Sequence, residues 1–150
     1  MEPVTEIFPG VYQLKVPIPN NQLGFTLPYL LKGSQGTMLI DTGVPAPAAR
    51  EALLEQLRSL IDPTELLILA ITHSHPDHVG LAGVVKYLAP EVKIAIHETD
   101  WEDMRRFWRH DGGHGRDEML RQMTSWAVQH GFPEENARQA AGRMAGPRHV

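Results

Sequence analysis

Three of the eight histidines in the chain lie within six residues, in the segment Thr72-His73-Ser74-His75-Pro76-Asp77-His78. Neutral imidazole nitrogen and carboxylate oxygen suit Zn²⁺, with iron or manganese as alternatives because the set has no sulfur ligand. Two imidazoles at i and i+2 in an extended turn can point the same way and share one cation. Asp77 and His78, being adjacent, should diverge from that pair and serve a second cation. The segment, called here the motif loop, therefore predicts a metal site.

A purely structural interpretation of the motif loop is a polar connection between a strand and a helix. Asp77 would then be an ordinary N-cap, a position that aspartate favours. Pro76 fits such a connection as well, because it holds the residue before it in an extended conformation. This interpretation accounts for the aspartate and the proline, but it gives no reason for three histidines.

The segments on either side of the motif loop have the pattern of a strand–helix–strand unit. The continuous apolar run Leu66–Ile71 is typical of a strand buried on both faces. Residues Val79–Leu88 have helical spacing of apolar residues, and Val92–Ile96 form the next strand, which should pair in parallel. The motif loop thus follows the carboxyl end of a buried strand, where open α/β sheets place their ligands.

The first sixty residues predict further strands and one helix. Phe25–Lys32 and Thr37–Asp41 are typical of a hairpin joined by the four-residue turn Gly33–Gly36, with Pro28 indicating an edge strand or a bulge. Residues Ala48–Ile61 have the apolar spacing of a helix, which the pair Asp62-Pro63 should end.

Composition limits the class of protein. The chain has 150 residues, of which 42% are hydrophobic and 21% charged, with a formal net charge of −4 and no cysteine. This balance is typical of one globular domain and excludes disulfides and thiolate chemistry. The acidic balance argues against nucleic acid held on a basic surface, although an enzyme acting on phosphodiesters stays open. With neither a signal-like start nor an apolar run of about 20 residues, we expect a cytoplasmic protein without a membrane span.

The motif His-x-His-x-Asp-His, formed by His73, His75, Asp77 and His78, resembles the signature of the metallo-β-lactamase fold superfamily of metallohydrolases. A second element, Leu39-Ile40-Asp41-Thr42-Gly43, also resembles a segment that this family carries at the end of an earlier strand. The resemblance covers residues from about Val11 to Glu98. The hydrolase branch that includes glyoxalase II-type thioesterases, lactonases and related nucleases is the most similar.

The resemblance implies the roles of the site residues. His73 and His75 would bind a first metal and Asp77 and His78 a second, with two zinc ions in a complete site. Metal-activated water would attack an ester, thioester, lactone or similar bond of a small-molecule substrate, and a phosphodiester is the alternative. Asp77 would orient the nucleophile as the catalytic residue. Asp41 would fix the motif loop from behind the ligands rather than bind metal.

The resemblance also implies a fold class and a domain organisation. The family domain is an αββα sandwich of two similar halves, so we expect an α/β chain with a mixed sheet covered by helices. Residues 1–98 would form the N-terminal half with the metal motif, and residues 99–150 a helical segment. The Gly-His-x-x-Gly-His type segment of the second half does not occur after Glu98.

The missing segment leaves three expectations open, of which a degenerate regulatory relative without catalysis ranks last, because all four motif residues are intact. In the first, the chain is a shortened metallohydrolase with little or no activity as these 150 residues. In the second, it is a non-catalytic half-domain that pairs with a second copy of itself or with a separate C-terminal chain.

Overall fold

The computed structural model describes residues 3–108, 121, 124–125, 127–129, 131 and 133–144, without the side chains of residues 106–108 and 140–144. Its contacts divide the chain into two compact units, Met1–Trp101 and Glu102–Val150. The first unit holds two sheets and the motif loop. The described part of the second unit is helical.

Eight strands form the two sheets of the first unit. They are β1 (Val4–Phe8), β2 (Val11–Leu14), β3 (Val16–Pro17), β4 (Phe25–Thr26), β5 (Tyr29–Gly33), β6 (Gly36–Ile40), β7 (Leu66–Ile71) and β8 (Lys93–Ile96). Six of them make one sheet in the order β1-β2-β5-β6-β7-β8, while β3 and β4 form a separate pair. The larger sheet is antiparallel from β1 to β6 and parallel from β6 to β8. The expected mixed sheet is thereby confirmed.

The described helices are α1 (Pro47–Leu60), α2 (Pro76–Val79), α3 (Ala82–Leu88), α4 (Glu98–Trp108) and α5 (Glu134–Met144), with a 3₁₀ turn at Pro63–Glu65. Helix α1 has proline in its first turn and ends before Asp62-Pro63, as predicted. Its buried Gln56 is paired twice with the backbone of Lys15, through Lys15 N–H to Oε1 (2.8 Å) and Nε2–H to Lys15 O (2.9 Å). Because these bonds satisfy the buried amide, they fix α1 against the first strands.

The core of the sheet is a row of leucines across the central strands. Leu30, Leu39 and Leu69 are paired neighbours on β5, β6 and β7, and all three are fully buried. Leu53 and Leu57 of α1 are buried to nearly the same degree. This packing holds the carboxyl ends of β6, β7 and β8 at one edge of the sheet, where the motif loop begins.

Several local predictions were wrong in detail. The hairpin pairs Gly33 with Gly36, so its turn has two residues, not four. Pro28 neither lies on an edge strand nor makes a bulge: it separates β4 from β5, and its carbonyl accepts a hydrogen bond from Leu14 N–H (2.8 Å). Strand β7 is not buried on both faces, because Leu67 near its start is 49% exposed.

The predicted helix Val79–Leu88 is two helices, and the first of them begins inside the motif loop. Pro76 opens α2, since its fixed φ suits the first turn and its missing N–H costs nothing there. His75, not Asp77, is therefore the N-cap residue, and it makes no side-chain cap bond. Asp77 and His78 consequently lie on the first turn of a helix.

Candidate metal centre

The motif loop begins at the carboxyl end of β7, beside the carboxyl ends of its parallel neighbours β6 and β8. It follows β7, the strand between β6 and β8 in the sheet. Asp41 follows β6, and its N–H bonds to Ala70 O on β7 (2.9 Å). The structure thus brings the two elements that the sequence singled out, Asp41 and the motif loop, to one edge of the sheet.

The three histidines of the motif form one cluster. The ring of His73 lies 4.5 Å from that of His75 and 3.9 Å from that of His78, measured between centroids. The expectation that His78 diverges from the first pair was wrong. Because Pro76 starts a helix, the N–H of His78 bonds back to His75 O (2.9 Å), and the His78 ring packs against His73.

Asp41 is the buried anchor of this cluster. It is 7% exposed, and its carboxylate accepts from Thr72 N–H, from the Thr72 hydroxyl and from His78 Nδ1, each at 2.8 Å. Its backbone has φ of 60°, a left-handed conformation that aspartate tolerates better than most residues. Asp41 therefore fixes both the start of the motif loop and the orientation of the His78 ring.

The bond to Asp41 determines which nitrogen of His78 is available. A carboxylate only accepts, so Nδ1 of His78 carries a proton. In the neutral ring Nε2 then carries a lone pair, and this nitrogen lies 3.4 Å from Oδ2 of Asp77. Both atoms are acceptors in this state, so no hydrogen bond joins them. For one tetrahedral zinc with bonds of about 2.0–2.2 Å, two ligand atoms are separated by about 3.4 Å.

His73 is oriented by the same network. The Thr72 hydroxyl donates to Asp41 and lies 3.0 Å from Nδ1 of His73, so it can accept the Nδ1 proton and leave Nε2 free. Burial lowers the pKa of His73, and the neighbouring His78 and His75 lower it further, while Asp41 and Asp77 act in the opposite direction. The ring is thus held in the neutral form that binds metals.

The first turn of α2 is held in place by Thr42. Its N–H and its hydroxyl both donate to His78 O, at 2.7 and 2.8 Å, and the hydroxyl accepts from Leu81 N–H at 3.1 Å. The turn also packs closely: a Cβ on Gly80 would come within 2.8 Å of Gly43 O and against Pro76 O. Thr42 is fully buried, so the position of His78 is set by backbone bonds on one side and by Asp41 on the other.

The cluster contains metal-binding donor types but no complete ligand set among the described residues. Within the described residues, no three His, Asp or Glu side chains are arranged to hold one ion together. The cluster nevertheless supplies three imidazoles and one carboxylate, the donor types that zinc takes, with Nε2 of His78 facing Asp77. A catalytic zinc usually has three protein ligands, a number that no group of the described residues reaches.

Comparison with known proteins identifies the family. The metallo-beta-lactamase superfamily model, Lactamase_B, matches residues 22–146. The chain belongs to the metallo-beta-lactamase superfamily. This confirms the resemblance drawn from the motif.

Individual members of the superfamily are similar over parts of their length. The chain is 34% identical over 88 residues to a Bacillus subtilis protein named "Probable metallo-hydrolase YqjP", covering 58% of this chain and 26% of that one. A metallo-beta-lactamase family protein from Thermus thermophilus superposes with a TM-score of 0.66 at 32% identity, covering 96% of this chain and 46% of that one. Rubredoxin oxygen:oxidoreductase from Desulfovibrio gigas shares the fold, with a TM-score of 0.62, 21% identity, and coverage of 72% and 29%.

The chain is much shorter than these relatives. It spans between about a tenth and a quarter of the length of the curated relatives it matches, and 46% of the Thermus protein. The relatives include proteins named "Probable metallo-hydrolase" and "Putative diflavin flavoprotein", so membership alone does not fix the reaction. In the described part of the chain, no helix is long and apolar enough to cross a membrane.

Sequence reasoning missed three residues that hold the site. Thr72, Thr42 and Asp100 all make hydrogen bonds that fix the motif loop or its helix. Thr72 and Thr42 adjoin His73 and Asp41, so their position next to predicted site residues was a usable signal. Asp100 follows β8. Its place beside the motif loop depends on the pairing of β8 with β7, which the spacing of residues near Asp100 does not reveal.

Proposed function

We propose that this chain provides the metal-binding half of a metal-dependent hydrolase. The observation that supports it best is the pairing of His78 Nε2 with Asp77 at 3.4 Å, with Nδ1 of the same ring held by Asp41. A histidine whose Nδ1–H donates to a carboxylate, as His78 does to Asp41, is typical of histidines that bind metal through the other nitrogen. Membership of the metallo-beta-lactamase superfamily supports the same interpretation.

In this proposal His73 and His75 hold one metal, and Asp77 and His78 hold another. Zinc is the metal we expect from the nitrogen and oxygen donors, with iron or manganese as alternatives. Bound zinc would supply a Lewis acid and lower the pKa of a coordinated water to about 7.

The residues of the chain do the remaining work. Asp41 keeps the proton of His78 on Nδ1, directly and at 2.8 Å. It does the same for His73 through the Thr72 hydroxyl. Asp77 is the catalytic residue of the proposal: its side chain is only partly buried, so a carboxylate oxygen can orient a water molecule and accept its proton.

The substrate class we propose is an activated carbonyl compound, namely an ester, thioester or lactone. A phosphodiester is the alternative, and the net charge of −4 favours it less, because a nuclease usually adds positive charge around the phosphate. The relative named "Putative diflavin flavoprotein" makes redox chemistry the competing reaction.

A hydrolysis assay tests the proposal. The zinc-loaded chain is offered a chromogenic ester, an acyl thioester, a lactone and bis(4-nitrophenyl) phosphate, with and without EDTA. We expect slow hydrolysis of one carbonyl substrate that EDTA abolishes and that Asp77→Asn lowers by about 100-fold or more. Asp62→Asn, at an exposed cap remote from the motif loop, is the matched control and should leave the rate unchanged. Hydrolysis that EDTA does not abolish, or that Asp77→Asn leaves unchanged, would contradict the proposal.

A second candidate function is assembly into a sheet-to-sheet homodimer. Leu31, Met38 and Ile68 are paired neighbours on β5, β6 and β7, and they lie on the face opposite to the buried leucine row. All three are only partly buried. Light scattering at micromolar concentration tests this candidate: a dimer supports it, and a clean monomer contradicts it.

A further inference from the structure

We propose that Asp100 is a positioning residue for the metal centre, acting on the backbone between His73 and His75. This inference rests on the proposed function. Oδ1 of Asp100 accepts a hydrogen bond from Ser74 N–H at 2.9 Å. Ser74 separates the two histidines assigned to one metal, so fixing its peptide restrains both.

The motif loop is held by carboxylates from both sides. Asp41, after β6, accepts from Thr72 N–H, and Asp100, after β8, accepts from Ser74 N–H. Strands β6 and β8 are the two parallel neighbours of β7, whose end leads into the loop. The loop residues 72–75 form no helix or strand, so these side chains replace the backbone bonds that a regular element would supply.

Asp100 is itself placed by the start of α4. His97 is the residue just before the helix. Its carbonyl accepts from Trp101 N–H (2.9 Å), and its Nδ1 accepts from Thr99 N–H (3.3 Å). His97 therefore caps this helix. The cap directs the first turn of α4 toward the loop, and Asp100, in that turn, is partly buried.

The alternative is that Asp100 only stabilises α4, as acidic residues in a first turn do. Glu98 tests this alternative, because it is an exposed acid in the same first turn. A helix effect should be similar for Glu98→Ala and Asp100→Ala. A positioning effect belongs to Asp100 alone, and it should be rescued by Asp100→Asn, which keeps an oxygen that can accept from Ser74 N–H.

The experiment measures Zn²⁺ affinity of the whole chain by competition with a chromophoric chelator. We expect Asp100→Ala to weaken binding by about 10-fold or more, within the range for residues that orient metal ligands. Asp100→Asn should stay within about 3-fold of wild type, and Glu98→Ala should bind like wild type. Amide hydrogen exchange in EDTA is the second readout: Ser74 N–H should lose protection in Asp100→Ala and keep it in Asp100→Asn.

The outcomes separate this inference from the proposed function. If wild type takes up no zinc, the proposed function fails, whatever the exchange data show. If wild type binds zinc and Asp100→Ala binds it equally well, or Glu98→Ala is weakened to the same extent, only the role of Asp100 is overturned. Loss of Ser74 protection together with weaker zinc binding, both rescued by asparagine, supports it.

Discussion

Replacing Asp41 by asparagine should reverse the proton position on His78. Oδ1 of Asp41 accepts from Thr72 N–H, which an asparagine oxygen can do equally well. Oδ2 accepts from the Thr72 hydroxyl and from His78 Nδ1, and in Asp41→Asn an NH₂ group stands at that place. Because NH₂ only donates, His78 must accept at Nδ1 and carry its proton on Nε2, the atom that faces Asp77.

The size of the effect follows from the bonds that change. One of three charge-assisted bonds is lost and the other two become neutral, so the free energy of unfolding should fall by about 1–3 kcal/mol. Asparagine tolerates φ of 60°, so no backbone strain is added. Zinc affinity should fall by about 10–100-fold, as for other residues behind metal ligands, equivalent to about 1.4–2.7 kcal/mol.

A matched control is available in the same chain. Asp62 accepts from Thr64 N–H (2.9 Å) and from the Thr64 hydroxyl (2.8 Å), the same pair of bonds that Asp41 makes with Thr72, but no histidine is involved. Asp62→Asn should therefore leave zinc affinity unchanged. Chelator competition gives the affinities, and urea unfolding monitored by circular dichroism gives the stabilities. Equal zinc affinity in wild type and Asp41→Asn would refute the reasoning about His78.

Three further predictions concern the frame of the site. Gly80→Ala should lower the free energy of unfolding by about 1–3 kcal/mol, because its Cβ meets Gly43 O. Gly83→Ala, in open space on α3, should raise it by about 0.5–1 kcal/mol, and urea midpoints compare the two variants. Thr42→Val should cost about 1–3 kcal/mol in the same assay, since it leaves Leu81 N–H without its buried acceptor, and Thr42→Ser should cost less. Since the pKa of His73 is lowered in the fold, the metal-free protein should lose stability as the pH falls through about 6.5, and His73→Gln should flatten that dependence in melting curves recorded in EDTA.

The general course of the chain was predictable because local pattern and tertiary structure agree there. Helix α1 has regular apolar spacing and a proline near each end of its range, and β7 is a continuous apolar run between turn residues. Their predicted bounds differ from the structure by at most a residue. The motif also led to the family, because its four residues match the family's signature at that spacing.

The geometry of the site was less predictable because it depends on contacts between distant segments. The bond from Asp41 to His78 joins residues 37 positions apart, and that from Asp100 to Ser74 joins residues 26 apart. The start of α2 at Pro76 was missed for a local reason: the apolar spacing that predicts the helix begins only at Val79, although proline is favoured in a first turn.

Equilibrium dialysis against Zn²⁺, followed by elemental analysis, tests most directly whether the motif loop holds metal. The comparison is between wild type, His73→Ala/His75→Ala, and His130→Ala/His149→Ala, which removes two histidines outside the motif. We predict that wild type and the second double variant retain zinc in similar amounts and that the first double variant loses most of it. Zinc absent from wild type, or retained equally by all three proteins, would contradict a metal centre at the motif loop.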